Sequence, residues 1–170
     1  MNNREIARIL KSNYITSGIF VTVHAADTLP EKPRSRKPCA YVSNTHNHTQ
    51  PGEHWICFYW PPAGHGEYFD SYGFEPKLVF QEFLGSRYSY NVEFLQYPFS
   101  STCGQYVIYY IYMRALGKKP AEILSSFSED DLLGNDILVN STLEEIFSVD
   151  LDIFDEDFIG KQICHSYYKT

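Results

Sequence analysis

"PFSSTCGQYVIYYIYM", residues 98–113, decides how the chain is built. A polar loop ending in Ser100, Ser101 and Thr102, three residues able to cap a helix, leads into positions 103–116, which read as a helix that is apolar nearly all round. A helix of that character is buried inside a domain, because it has no face to give to water. Gly117 and Pro120 stop it. Cys103 holds its first position, either as a small buried hydrophobe or as a nucleophile.

The flanking sequence supplies what such a helix would pack on. Ile6, Ile9 and Leu10 follow helical spacing in "NNREIARILKSN", and "GIFVTVHA" reads as a β-branched strand. "CAYVSNT", "HWICFYW" and "EYFDSYG" are three short apolar or aromatic strands, broken by "HNHTQPGE" and "PPAGHG", which carry turn-forming Pro and Gly. "PKLVFQEFLG" has helix start and stop signals, and the alternation in "YNVEFLQY" predicts another strand. After the central helix, "PAEILSSF" and "DILVNSTLEEIFSV" look helical, while "DLDIFDEDF" reads as acidic surface. The fold class expected is α+β, with a mixed, mostly antiparallel sheet packed on a central buried helix. One domain is expected over residues 1–170, with an acidic helical part from about residue 120.

Composition removes several function classes. With 44% apolar and 16% aromatic residues the chain can bury a core, which excludes a disordered protein. No apolar run approaches a membrane span, and "MNNREIARILKSN" lacks the features of a secretory signal, so no membrane partner is expected. Cys39, Cys57, Cys103 and Cys164 are scattered without a C-x-x-C pair, which argues for a reducing intracellular setting without a zinc ribbon. His46 and His48 in "THNHT" read as a solvated loop, since no third metal ligand is evident. Net charge is −7, unevenly spread. Residues 1–119 hold 12 Lys/Arg against 9 Asp/Glu, a balance of +3, and residues 120–170 hold 2 against 12, a balance of −10. The acidic last third argues against a general nucleic-acid binder, leaving Lys32, Arg34, Arg36 and Lys37 as the one basic cluster able to touch a phosphate backbone.

A cysteine at a helix N-terminus lies where unpaired N–H groups and the helix dipole favour an anion, which lowers its pKa. Chemistry there still requires a base and a group to orient it. His54 opens the strand "HWICFYW" and Asp70 ends "EYFD", 16 residues on. If these strands form a hairpin, the start of one lies beside the end of the other, and His54 and Asp70 become neighbours. Gln96, seven residues before Cys103, carries two amide N–H donors that could serve an oxyanion. Each has an ordinary structural reading taken alone: core cysteine, capping histidine, turn aspartate. All four, however, fall at element ends able to converge, which a site requires and packing does not.

"GEHWICFYWPP…GEYFDSYGFEP" followed by "LQYPFSSTCGQY" resembles adenain, the adenovirus-type maturation protease family, which is related to the SUMO-specific proteases. The family pattern is His-Trp, then an acidic residue within F-[DE]-x-[FY]-G-F, then Gln-x6-Cys-Gly. Here these are His54-Trp55, Asp70, and Gln96 with Cys103-Gly104, and "PCAYVSNT" resembles the preceding family segment. The match covers roughly residues 38–116. The resemblance implies a cysteine endopeptidase with catalytic Cys103, His54 and Asp70, and Gln96 in the oxyanion site. It further implies viral or mobile-element precursor proteins as substrates, cut at Gly-containing sites, and a place in the virion and host nucleus. Two alternatives stay open: a SUMO or ubiquitin-like-protein isopeptidase, and a catalytically silent binding or capsid-associated module.

No cofactor is required by the sequence, and a monomer is expected. A peptide or DNA activator is implied by the resemblance alone. The chain departs from the family there, because no second cysteine lies among the 33 residues from Asp70 to Cys103 to bond an activating peptide. The −10 balance of residues 120–170 likewise weakens the carry-over of DNA.

Overall fold

A computed structural model describes residues 1–33 and 37–148. Arg34 and Arg36 of the basic cluster, Cys164 and the "DLDIFDEDF" segment lie outside the described residues. A five-stranded sheet runs in the order β1 (Phe20–His24), β2 (Cys39–Asn44), β3 (Trp55–Trp60), β4 (Gly66–Phe69), β5 (Tyr88–Tyr90). Its centre, β2–β3–β4, is antiparallel, and a parallel strand flanks each side. The expected class is thus present, with parallel pairing at both edges. β4 and β5 are parallel because the chain crosses between them through a helix, α3 (Leu78–Leu84).

Strand residues alternate between two apolar layers, as a period of two requires. Cys57, Tyr59 and Phe69 face the central helix, α4 (Cys103–Ala115), together with Ile6, Ile9 and Leu10 of the N-terminal helix α1 (Asn3–Ser12). Ile56, Phe58, Trp60 and Tyr68 face Phe80, Phe83 and Leu84 of α3. Within α4, Tyr106, Val107, Ile108 and Ile111 have no exposure at all. Each such side chain contributes about 1.5–3 kcal/mol of burial. Tyr110 stacks on Phe69 with ring centres 4.3 Å apart. The acidic last third forms two described helices, α5 (Pro120–Leu124) and α6 (Leu132–Phe147), and Val139 and Leu143 of α6 join the layer around α4. The four-residue helix Tyr14–Ser17 is α2. No helix among the described residues is long and apolar enough to cross a membrane.

One buried ion pair ties the helix to the sheet. Arg114 donates through Nε and Nη2 to the two carboxylate oxygens of Glu67, each at 2.8 Å, and Tyr110 O–H adds a third bond at 3.0 Å. The guanidinium also lies over the Tyr59 ring, 4.3 Å from its centre.

Two expectations are corrected. "YNVEFLQY" is not a strand beyond Tyr90. The Asn91 side chain is turned inward onto the backbone of residue 70, and the N–H groups of Leu95 and Gln96 both bond the Ser71 carbonyl, so no ladder partner is left for this stretch. Thr102 does occupy the N-cap of α4, but its side chain does not cap the helix; it bonds Ser100 Oγ instead, at 2.8 Å.

Candidate active site

The hairpin register builds the first half of the site. Cys57 pairs with Phe69, the last residue of β4, and the chain turns from Asp70 to Gly73 just beyond it. His54 immediately precedes β3 and Asp70 immediately follows β4, so the two lie at the same end of the hairpin. His54 Nε2 meets Asp70 Oδ1 at 2.8 Å, and both side chains are buried.

Asp70 is fixed from several sides. The Tyr72 N–H donates to the same Oδ1 at 2.8 Å, and Tyr68 O–H donates to Oδ2 at 3.4 Å. Asn91 accepts from the Asp70 N–H at 3.0 Å and donates to its carbonyl at 2.8 Å. The turn that follows is closed by Gly73 N–H on the Asp70 carbonyl. Gly73 has φ +68°, and a Cβ there would lie 2.7 Å from the backbone of Val92 and Glu93, so only glycine lets the two segments meet. Tyr72 then stacks on the imidazole, with centres 4.9 Å apart and planes at 25°.

Cys103, half-buried at the tip of α4, completes the cluster. Its thiol is hydrogen-bonded to the His54 side chain and to backbone of Trp55. Burial alone would push the thiol up, but the His54 bond and charge, then the Trp55 backbone bond, bring it below the ordinary thiol value. The reciprocal holds at His54: burial works against the imidazolium, and the charge and hydrogen bond of Asp70, helped by Cys103, overcome it and push the pKa up to about 10. Both directions favour a thiolate–imidazolium pair. Tyr106 N–H bonds the carbonyl of Thr102, the N-cap residue, so Cys103 and Gly104 stand in the first turn of α4, where backbone N–H groups point out of the helix. Met1 packs over the tip, where a Cβ on Gly104 would lie 3.0 Å from the Met1 Cβ, and Trp55 Nε1 donates to the Met1 carbonyl at 3.1 Å. Trp55 therefore packs with the α4 layer.

Gln96 is fully buried beside this cluster, held by bonds that its sequence position does not announce. Its Oε1 accepts from Ser71 Oγ at 2.7 Å, and its Nε2 donates to the Ser100 carbonyl at 3.1 Å and hydroxyl at 3.3 Å. Sequence reading missed Tyr72, Asn91 and Ser71. Tyr72 lies in the turn just beyond Asp70, where strand parity no longer applies, and no local signal marks the other two. His46 and His48 bond separate carboxylates, Glu53 at 2.7 Å and Asp27 at 2.6 Å.

No protein-family model matches the chain, and no curated protein sequence does. Solved structures do. A crystal structure of the ASFV pS273R protease superposes with a TM-score of 0.55 at 15% identity, covering 81% of this chain and 65% of that one. The chain has that protease's fold. The selenomethionine form of the same protease gives a TM-score of 0.46 at 20% identity, over 60% of this chain and 43% of that one. The chain thus spans less than two thirds of the length of these neighbours.

Proposed function

We propose that this chain is a cysteine endopeptidase of the adenain-like type. The observation that carries the reading is the meeting of three groups from separate elements, Cys103, His54 and Asp70, at the half-buried tip of the central helix. The fold, shared with a viral protease, supports the same class of chemistry.

In the proposed reaction the Cys103 thiolate attacks the scissile carbonyl carbon, and the negative charge moves to its oxygen. The backbone N–H of Cys103 and the Gln96 amide stabilise that oxyanion. As the C–N bond breaks, the His54 imidazolium gives its proton to the leaving amine, leaving a thioester. His54 then takes a proton from water, whose oxygen attacks the thioester, and the thiol is regenerated as the acid product departs. Asp70 holds the ring throughout. Substrates of the proposed enzyme are precursor proteins cut at Gly-containing sites, of viral or mobile-element origin, in a reducing compartment such as the infected nucleus.

Cys103→Ala tests the assignment: cleavage of Gly-containing peptides and labelling by iodoacetamide at neutral pH should both vanish. Unchanged cleavage would falsify it. The resemblance of residues 38–116 to a family related to the SUMO-specific proteases also favours a second reading, removal of SUMO or ubiquitin-like tags. Tagged SUMO and ubiquitin set against the peptide panel separate the two, since the tag reading requires turnover of the fusions and indifference to short peptides.

A further inference from the structure

The strongest polar cluster outside the triad gathers on Asp136, in the second turn of α6, whose side chain is completely buried. Tyr106 O–H donates to its Oδ1 at 2.9 Å, and the Tyr97 N–H donates to the same oxygen at 3.3 Å. The hydroxyls of Ser100 and Thr102 lie beside the same carboxylate. These groups share one origin. Tyr97, Ser100 and Thr102 belong to the loop between Gln96 and Cys103, and Tyr106 belongs to the first turn of α4. The neighbouring Asn135 reinforces the hold, donating to the Leu95 carbonyl at 3.0 Å, an oxygen that Tyr106 O–H also reaches at 3.1 Å.

Packing does not need a carboxylate here. Val139 and Leu143 already seat α6 on α4, and burying a carboxyl group carries a desolvation cost that an apolar residue avoids. What the carboxyl group adds is direction, through hydrogen bonds that converge on it from one loop and the helix turn after it. The loop passes its order inward by its own bonds: Ser100 Oγ to the Tyr97 carbonyl at 2.9 Å, and Gln96 Nε2 to the Ser100 carbonyl at 3.1 Å. One end of the loop is Gln96 and the other is Cys103.

We propose that Asp136 is a positioning residue: it gathers the 97–102 loop and the first turn of α4, and so sets Gln96 and the Cys103 thiol against the His54–Asp70 pair. This rests on the reading of Cys103 as nucleophile. Asp136 touches no reacting atom and acts through the loop. A displacement of about 1 Å at the loop is enough to slow chemistry about a hundredfold.

The experiment combines Asp136→Ala, Asp136→Asn and Tyr106→Phe with Gln96→Ala, reading kcat and KM on a cleaved peptide, the pH profile of Cys103 alkylation, and thermal melting. Asp136→Ala should lose about ten- to a hundredfold in kcat with KM little changed, and its alkylation profile should shift. Asp136→Asn, which keeps an oxygen for the same donors, should recover most of the loss. The double variant with Gln96→Ala should lose less than the product of the single losses, because both act through one loop. Should Asp136→Ala fail to fold, Tyr106→Phe carries the same comparison. Wild-type kcat in a folded but less stable Asp136 or Tyr106 variant, or losses that multiply with Gln96→Ala, overturns the proposal. Full turnover by Cys103→Ala overturns instead the reading beneath it.

Discussion

His54 meets Asp70 through Nε2, at 2.8 Å, which leaves Nδ1 as the ring nitrogen facing the thiol of Cys103. The ring is thus turned the opposite way from the serine-protease template, in which Nδ1 meets the aspartate. The task we propose for the carboxylate is unaltered: it selects the tautomer and supports the imidazolium. Asp70→Asn should therefore leave the fold intact and slow acylation by about a thousandfold or more. Single-turnover kinetics check this, and a rate near wild type would assign the orienting role to another residue.

The pH dependence follows from the coupled pair. The His54 and Trp55 contacts hold the Cys103 thiol below its ordinary value, so turnover should extend to lower pH than an unassisted thiol would allow. It should fall at the alkaline end as His54, raised to about 10, loses the proton it must give to the leaving amine. Removing the Asp70 charge lowers the imidazolium pKa and weakens its hold on the thiolate, so in Asp70→Asn the inflection for Cys103 alkylation should move to higher pH. An inflection unmoved by the substitution would mean that the thiol is tuned elsewhere, by the helix tip alone.

Gln96 has a proposed duty at the oxyanion and also holds its loop, and one substitution can separate the two. As an oxyanion donor, its loss in Gln96→Ala should lower kcat by about a hundredfold at nearly constant KM. As the partner of Ser71 and Ser100 it also holds the loop, so the melting temperature should drop as well. A lower melting temperature with kcat intact would leave only the second duty.

Stability is most exposed at Glu67 and Arg114, which are each nearly buried and bonded at both carboxylate oxygens. Glu67→Ala leaves a guanidinium in the core and should destabilise by about 3–5 kcal/mol, read by urea denaturation. Replacing both partners with apolar residues of similar volume should restore much of that, because the stranded charge is then gone. A double variant as unstable as the single would show that shape, rather than charge, is what the pair supplies.

Much of this was legible in the chain, for reasons that can be named. The β3–β4 hairpin and α4 are local elements with strong periodicity, and the ends of local elements fix where His54, Asp70 and Cys103 must lie. The stretch 91–97 misled because alternation signals a strand only where a ladder partner exists, and here Asn91 and Ser71 take up the backbone groups first. Thr102 misled in the same way, a cap residue whose hydroxyl had a better partner in Ser100. Asp136 left no trace at all. One carboxylate in a chain third that carries twelve looks like surface, and only the packing of α6 on α4 puts it inside.

The turn from Pro61 to His65 closes the β3–β4 hairpin at the end remote from the triad, and from Pro62 to His65 it is exposed. Its length is uncoupled from the chemistry, because His54 and Asp70 are set by the register of the ladder and not by how the chain turns around beyond it. Variation can therefore accumulate at that tip, as an inserted loop, an epitope or a small appended domain, without disturbing the reaction centre. Inside the ladder the tolerance disappears. One residue removed between Gly66 and Phe69 would send the Asp70 carboxylate to the opposite face of the sheet, so the hairpin is a ruler that can lengthen at only one end.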